Sequence, residues 1–364
     1  MTVYAVTLNT LTPLHIGDSD ELRQDFDFVA HSNGRTYRLN EDAILQAKEK
    51  FLLDRQGTYR LPGKLLDDAD FKNADFFRYI LPGVPRSKKI DARVKSFIKD
   101  VHDRPYIPGS SLKGALRTAL AWTGWDEVKP RLDRATIGRS KSWAGQPLER
   151  KLFGPDPNHD VLRALHVSDL ASSANANASM MLVNAQVLTK KGAGSPVELE
   201  AVKTKIEFHG TLTIDEVLFS EFAERELHFA NREHWLKELM PRVQAHSRAR
   251  IEQLAAWYES ADNGASIAQF FRDLAKVKFG AHRAVLQLGW GAGWDAKTFG
   301  AHLQEDARLF EQIVADFRMH RAAPGSPPRK PGDPFPRSKR AVMNLKEAKP
   351  YAPLGWVKVE LKPQ

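Results

Sequence analysis

An α+β fold is predicted by three features of this 364-residue chain. Short segments of alternating apolar and polar residues, typical of half-buried strands, occur near both ends, at residues 3–11 and 357–361. Segments with helical spacing lie between the strands, and each half of the chain has a glycine-containing turn that opens a helix. Strands and helices in this order suit ferredoxin-like βαββαβ units. Two such units in tandem, residues 1–180 and 181–364, are therefore expected.

The first unit is predicted to begin with a strand and a hairpin. Its strands are expected at residues 3–11, 26–30, 36–39 and 165–170. Asn33-Gly34 is a strong hairpin turn, and Asn40 is expected to cap a helix over residues 41–53. Residues 54–105 have little regular pattern, so they are predicted to be a basic insertion over the sheet. Residues 126–160 are expected to be a loop-rich basic stretch.

The second unit is predicted to be helical at first. Its strands are expected at residues 181–188, 202–214, 284–288 and 357–361. Its helices are expected at residues 232–260 with a break near Pro241, 267–276 and 298–318. A helical insertion (216–278) and a glycine-rich loop (289–294) follow from this pattern. Residues 191–196 and the proline-rich basic segment 321–340 are expected to be flexible loops.

Composition favours a polyanionic partner. Lys and Arg number 54 against 45 Asp and Glu, a formal charge of +9, and two basic runs, 86–104 and 129–151, flank one helix. The chain has no cysteine, which excludes disulfides and thiolate metal sites. With no run long enough to span a membrane and no signal peptide, a cytoplasmic protein without membrane contact is expected.

The turn before Leu112 is predicted to bind an anion. The proline keeps the preceding residue extended, the glycine allows close approach, and the serines suit a helix N-cap. Two cations four residues apart lie near the positive end of the helix, so phosphate is the expected anion. An ordinary amphipathic helix with a common cap would have the same spacing. The residues concerned are Pro108, Gly109, Ser110, Ser111, Lys113 and Arg117.

Two further segments are predicted to contact the same ligand. In the glycine-rich loop, the glycines let a backbone approach and the tryptophans offer faces for stacking on bases. Its expected binding residues are Gly289, Trp290, Gly291, Gly293, Trp294 and Lys297. The first strand ends in His15, Ile16 and Gly17, where His15 is either near the ligand or a half-buried histidine that ends a strand.

Other chemistries have weaker support. Gly291 to Thr298 differs from a P-loop by Ala296, which stands where that loop needs glycine. His159-Asp160 has no further histidine or acid at metal-ligand spacing, so neither a metal nor a cofactor is expected. The acids between Asp18 and Asp27 have no diagnostic spacing, and no catalytic residue is assigned.

The phrase Ile107-Pro-Gly-Ser-Ser-Leu-Lys-Gly-Ala-Leu-Arg117 resembles the signature turn and helix of the RAMP superfamily, the RNA-binding proteins of CRISPR systems. The His15-Ile-Gly17 turn, the glycine-rich loop and Pro353-Leu-Gly-Trp356 extend the resemblance over most of the chain. They look most like the subunit that caps type III-A (Csm) effector complexes at the 3′ end of the guide RNA. The catalytic-aspartate phrase of the backbone subunit is missing.

The resemblance implies tandem RRM-like RAMP domains and a non-catalytic, crRNA-binding structural subunit that supports guide maturation in antiviral defence. The implied partners are the 3′ portion of crRNA, target RNA, the other type III-A subunits (above all the backbone RAMP subunit), and host nucleases for guide trimming. The alternative is a metal-independent guide-processing ribonuclease of the same superfamily, with His15 or His31 as general base.

Overall fold

The structure is a computed structural model, and it describes residues 1–138, 140–190, 192–229, 232–296, 300–320 and 327–364, with the backbone alone at 193 and 195. In the described residues the strands are β1 (Thr2–Thr10), β2 (Gly17–Arg23), β3 (Phe28–Ala30), β4 (Arg35–Leu39), β5 (Phe77–Pro82), β6 (Arg93–Phe97), β7 (Tyr106–Ile107), β8 (Leu165–Val167), β9 (Leu170–Ala171), β10 (Met180–Thr189), β11 (Gly192–Val202), β12 (Glu207–Ile214), β13 (Arg283–Gln287), β14 (Ser338–Asn344), β15 (Lys349–Pro353) and β16 (Trp356–Pro363).

The helices alternate with these strands, as expected for an α+β fold. They are α1 (Glu41–Ala47), α2 (Gly109–Val128), α3 (Arg134–Ile137), α4 (Gln146–Phe153), α5 (Ala176–Ser179), α6 (Glu221–Glu226), α7 (Glu233–Lys237), α8 (Leu239–Glu259), α9 (Ala265–Lys276), α10 (Gly300–Leu303) and α11 (Ala307–Asp316). Short 3-10 turns join several of them.

Two large sheets and one small sheet hold the strands. The first sheet has the order β13-β16-β1-β12-β9-β7, with β8 also paired to β12. The second has the order β15-β14-β10-β11-β6-β2, and the third is β3-β4-β5. Both large sheets combine strands from either side of residue 180, and the division of the chain into two units at that residue stays a prediction.

The main core lies between the first sheet and α2. Leu112, Leu116 and Leu120 of α2 are at most 2% exposed and belong to the same buried cluster as Val6 and Leu8 of β1. Each buried leucine contributes about 1.5–3 kcal/mol relative to an exposed one. This face of α2 is therefore fixed against the sheet, and its other faces are left for neighbouring helices and the functional site.

The strand pairing places three chain segments at one edge of the first sheet. β1 and β13 are both antiparallel to β16, so their carboxyl ends meet the start of β16 at that edge. The turn after β1 then crosses to the second sheet, where Leu14 and Val202 exchange backbone hydrogen bonds of 3.0 and 2.8 Å. The functional segments predicted near residues 15 and 289 consequently lie side by side.

Several sequence predictions are confirmed and several are wrong. The β3–β4 hairpin forms, with Gly34 at a φ of +81°, and the break near Pro241 is the junction of α7 and α8. Strands β5 and β6 lie in the stretch predicted to be irregular (54–105). The predicted flexible loop 191–196 falls largely within β11, because residues 192–202 pair with β10.

Other predictions fail at element ends and in the basic regions. The stretch 126–160 contains α3 and α4, the helix expected over 41–53 ends at Ala47, and the helix expected over 298–318 is divided into α10 and α11. Strand β14 begins inside the proline-rich stretch 321–340, of which 321–326 lie outside the described residues.

Candidate functional site

Two adjoining clefts open at the sheet edge where β1 and β13 end. The first has a volume of about 390 Å³ and is lined by His15, Ile16, Gly17, Ser19, Asp20, Lys95, Ser96, Ser111, Gly289 and Trp290. The second has a volume of about 290 Å³ and is lined by Ser110, Ser111, Gly114, Ala115, Thr118, Gln287, Leu288, Gly289, Ala292 and Ala296. Ser111 and Gly289 line both, so we treat the two clefts as one groove.

The groove brings together the three segments singled out from the sequence. Gly289 has a φ of +71°, and a Cβ atom there would lie 2.2 Å from the carbonyl oxygen of His15. The next residue, Trp290, donates its backbone N–H to that oxygen at 2.8 Å. Only glycine allows this approach, so the glycine-rich loop and the turn after β1 form one wall.

The segment that leads into β16 supports this wall. Gly355 has a φ of +78°, and its N–H donates to the carbonyl of Pro13 at 2.8 Å. Leu288 in turn donates its N–H to the carbonyl of Gly355, also at 2.8 Å. Gly291, with a φ of +92°, faces Leu354, whose side chain would be 3.1 Å from an added Cβ. The Pro353–Trp356 phrase therefore supports the loop and does not line the groove.

Helix α2 begins earlier than the sequence predicted. Its N-cap is Pro108, so Ser110 and Ser111 lie in the first turn and are not the capping residues. Gly109 is already engaged, because its N–H donates to Asp169 Oδ1 at 2.8 Å and a Cβ there would lie 2.2 Å from the Val167 carbonyl. Among the described residues the hydroxyls of Ser110 and Ser111 have no hydrogen-bond partner, and both face the groove.

The two cations of α2 line neither cleft of the groove. Arg117 pairs with Asp160 at 2.7 Å and Glu149 at 3.3 Å, and its guanidinium lies 3.9 Å from the ring centre of Phe153. Arg117 is thus already paired with two acids, and its expected contact with RNA stays a prediction. Lys113 has no ion pair among the described residues, and burial lowers its pKa. With 100° between successive helical residues, Arg117 lies within about 20° of Ser110 around the helix axis, but neither Lys113 nor Arg117 lines either cleft.

His15 lies at the floor of the groove and is 1% exposed. Its Nδ1 lies 2.7 Å from the carbonyl oxygen of Glu200, which can only accept, so Nδ1 carries the proton. Burial lowers the pKa of His15 below its usual 6.5, and the ring is therefore neutral near pH 7. Nε2 is then an acceptor, and it has no partner among the described residues.

The two tryptophans of the loop have different surroundings. Trp290 lines the groove, and the guanidinium of Arg340 lies 4.5 Å from its ring centre. Trp294 instead is partly buried, with its ring centre 5.0 Å from Phe335 and 6.1 Å from Phe310, and it lines a separate cleft. Of the two, only Trp290 lines the groove. Lys297, like Thr298 of the P-loop alternative, lies outside the described residues.

A row of cations that the sequence showed only as part of a basic run leads into the groove. Lys95 lines the first cleft and pairs with Glu21 at 2.6 Å. Two residues earlier in β6, Arg93 lies directly opposite Arg23 of β2, and Arg23 has an acidic neighbour in Asp27 at 3.7 Å. The second basic run, 129–151, supplies no residue to the lining of either cleft.

A buried ion cluster anchors the far end of the glycine-rich loop. Asp295 is 3% exposed and lies 2.7 Å from Lys339 and 3.3 Å from Arg250. Burial opposes its ionisation, but the two cations outweigh burial and lower its pKa. No sequence pattern indicated this cluster, because its members lie on α8, directly after the glycine-rich loop and on β14.

The described residues contain neither a cluster suited to a metal ion nor a helix suited to a membrane. No group of three or more His, Cys, Asp or Glu side chains there could hold a metal ion. Among the same residues, none of the helices combines the length and the apolar character that crossing a bilayer requires.

His31, the other histidine considered as a general base, does not line the groove. The centre of its ring lies 4.2 Å from the ring centre of Phe71.

Residues 7–294 match the family model of the RAMP superfamily, which is more than half of the chain. The chain therefore belongs to the RAMP superfamily. Among named relatives, the CRISPR system Cms protein Csm5 of Streptococcus thermophilus is 29% identical over 253 residues, covering 61% of this chain and 68% of that protein. A protein of the same name from Methanocaldococcus jannaschii is 30% identical over 137 residues, covering 36% and 32%.

Solved structures confirm the predicted fold class. A chain of the cryo-EM structure of a Csm–crRNA–target RNA ternary complex of a type III-A CRISPR-Cas system has a TM-score of 0.69 and 22% identity, covering 99% of this chain and 100% of that one. The crystal structure of T. onnurineus Csm5 has a TM-score of 0.68 and 20% identity, covering 96% and 99%. The α+β architecture is thus a RAMP fold, in agreement with ferredoxin-like units in tandem.

Proposed function

We propose that this chain is a crRNA-binding structural subunit of a type III-A (Csm) CRISPR interference complex. It holds the guide RNA in the groove between the first turn of α2, the glycine-rich loop and the turn after β1. The observation that carries the proposal is the convergence of these segments, which are far apart in the sequence, on one open groove. The relatives named Csm5 and the fold shared with a chain of a Csm–crRNA–target RNA complex support the assignment.

The groove suits a sugar-phosphate backbone. The hydroxyls of Ser110 and Ser111 lie at the positive end of a 20-residue helix, where anions are favoured. Lys95, which pairs with Glu21, lines the first cleft together with the exposed Asp20, and Arg93 and Arg23 lie outside that cleft on the same two strands. These donors recognise phosphates and hydroxyls and not base edges, as binding to guides of different sequence requires.

Trp290 adds a surface for a base. Trp290 lines the groove, and the guanidinium of Arg340 lies over its ring at 4.5 Å from the ring centre. Stacking of a base on such a ring contributes about 1–3 kcal/mol and is tolerant of sequence. Trp294 does not share this role, because it packs against Phe310 and Phe335.

The subunit acts in this proposal by binding and not by catalysis. A general base must accept a proton, and burial that lowers the pKa of His15 makes it a weaker acceptor. His31 lies outside the lining of the groove. The ribonuclease alternative predicts cutting of repeat RNA in EDTA that His15→Asn abolishes, whereas our proposal predicts intact RNA.

Its place in the complex follows from the resemblance. The subunit ends the filament near the 3′ portion of the crRNA, next to the backbone RAMP subunit, and supports guide maturation. Target RNA and trimming nucleases of the host are the further partners. The two-unit division at residue 180, with insertions at 54–105 and 216–278, belongs to the same proposal.

Gly114 offers a direct test of the groove. It lines the second cleft from the middle of α2, and an added Cβ would meet no atom within 4 Å. A side chain can therefore be placed in the groove without disturbing the fold. We expect Gly114→Glu to weaken binding of single-stranded RNA by the full-length protein at least tenfold, through bulk and charge repulsion. Fluorescence anisotropy at two salt concentrations measures the affinity and its salt dependence.

Two variants at the same position serve as controls. Gly114→Ala should bind RNA as the wild type does and should be more stable by about 0.5–1 kcal/mol, because alanine is favoured over glycine in a helix. Gly114→Lys has similar bulk to glutamate but the opposite charge, and it should retain more affinity than Gly114→Glu. If all three variants bind RNA like the wild type, the RNA does not lie in this groove.

A further inference from the structure

His15 places a buried acceptor in the groove, beside several donors and the exposed carboxylate of Asp20. The hydroxyls of Ser110 and Ser111 and the ammonium of Lys95 can all donate to a phosphate. Nε2 of His15 cannot, because Nδ1 holds the ring proton against the Glu200 carbonyl at 2.7 Å. A phosphate offers only acceptors, so Nε2 needs a different group of the ligand.

The space beside Nε2 is kept free by Gly17. A Cβ at residue 17 would lie 3.1 Å from Nε2, closer than ordinary van der Waals contact. The φ of Gly17 is not in the positive region that demands glycine, so local backbone conformation does not explain the residue. His15 is 99% buried, yet Nε2 is not among the fully enclosed polar atoms that lack a partner. It is therefore reachable from the cleft that His15 and Gly17 both line.

We infer that His15 Nε2 accepts a hydrogen bond from a ribose 2′-hydroxyl and so makes the groove selective for RNA over DNA. The 2′-hydroxyl is the one hydrogen-bond donor of an RNA backbone, and a DNA backbone has none. Every nucleotide carries it, so the contact is independent of base sequence. The inference rests on the proposed function and adds to it the residue that distinguishes the sugar.

The test changes the ligand as well as the protein. Full-length protein is titrated with one single-stranded sequence prepared as RNA, as 2′-fluoro RNA and as DNA. Fluorine keeps an RNA-like sugar but cannot donate, so it isolates the donor. We expect wild type to bind RNA roughly three- to tenfold more tightly than 2′-fluoro RNA, which is the range for one neutral hydrogen bond.

The matched protein variant is His15→Asn, because an asparagine amide can still donate to the Glu200 carbonyl while Nε2 is removed. It should lower the affinity for RNA to that for 2′-fluoro RNA and leave 2′-fluoro binding unchanged. His31→Asn, outside the groove, should leave the preference intact. Should His15→Asn fail to fold, Gly17→Ala replaces it, since its Cβ crowds Nε2 while His15 stays in place.

Each outcome separates this inference from the proposed function. Equal binding of RNA and 2′-fluoro RNA by wild type would overturn the role of His15 while RNA binding by the groove stands. A preference that survives in His15→Asn or Gly17→Ala would also overturn it, since the donor would then be read elsewhere. If wild type binds none of the three ligands, the proposed function fails together with the inference.

Discussion

Replacing Gly289 by alanine should separate the glycine-rich loop from the turn after β1, which together form one wall of the groove. The new Cβ would lie 2.2 Å from the carbonyl oxygen of His15, and the residue would keep a φ of +71°. A non-glycine residue in that left-handed region costs about 1–2 kcal/mol. Relieving the clash moves the loop and breaks the 2.8 Å hydrogen bond from the Trp290 N–H to the carbonyl oxygen of His15. The loss of this bond costs a further amount of about 0.5–1.5 kcal/mol.

The expected loss is therefore about 1.5–3.5 kcal/mol in the free energy of unfolding, measured by urea denaturation of the full-length protein. Gly280→Ala is the matched control, because an added Cβ there meets no atom within 4 Å and its φ is not positive. That variant should stay within about 0.5 kcal/mol of wild type. Equal urea midpoints for the two variants would refute the close approach of loop and turn.

Two other predictions concern charged groups outside the groove wall. Arg117→Ala should lower the free energy of unfolding in urea by about 1–2 kcal/mol, because the contacts to Asp160 and Phe153 are lost. Its RNA affinity, measured by anisotropy, should stay within about twofold of wild type. A tenfold loss of affinity would contradict this prediction. Burial, and then the charge of Arg250, lowers the pKa of His246 from 6.5 to about 3 in the folded state. The unfolded chain takes up this proton first as the pH falls below about 6.5, so stability decreases there, by about 2 kcal/mol at pH 5. His246→Gln should remove most of that decrease between about pH 7.5 and pH 5, whereas His102→Gln, at an exposed position, should not.

The sequence predicted which segments form the groove better than it predicted the contacts of each side chain. Glycine-rich turns near residues 17, 109 and 289 can be recognised in the sequence, because glycine at a turn indicates close backbone approach. The sequence does not indicate which segment or ligand makes that approach. Gly109 accommodates the chain at Val167, and its N–H is taken by Asp169, so its role is internal.

Helical spacing has a similar limit. It shows that Lys113 and Arg117 share a stripe of α2, but not that α4 and Asp160 cover that stripe. Gly114 in the same helix did carry a usable signal, since a glycine in a helix interior costs stability and usually has a packing or functional reason. It faces the groove.

Sequence reasoning missed a strand where pairing with a neighbouring strand overrides the loop-like composition of the segment. Residues 192–196 are rich in glycine and small side chains, which favours a loop, yet the long partner β10 extends them into β11. The Arg250–Asp295–Lys339 cluster could not be predicted from the sequence, for another reason. Single charged residues far apart in sequence become recognisable as buried partners only when the fold brings them together.

The pairing of β1 with β16 has a consequence for biosynthesis. Tyr4 lies opposite Pro363 in this pairing, so the first strand emerges from the ribosome long before its neighbour exists. At about 5–20 residues per second, that interval is roughly 20–70 s. Gly355, which directly precedes β16, also supports the glycine-rich loop, so the groove proposed for RNA is completed only after this last strand has been synthesised.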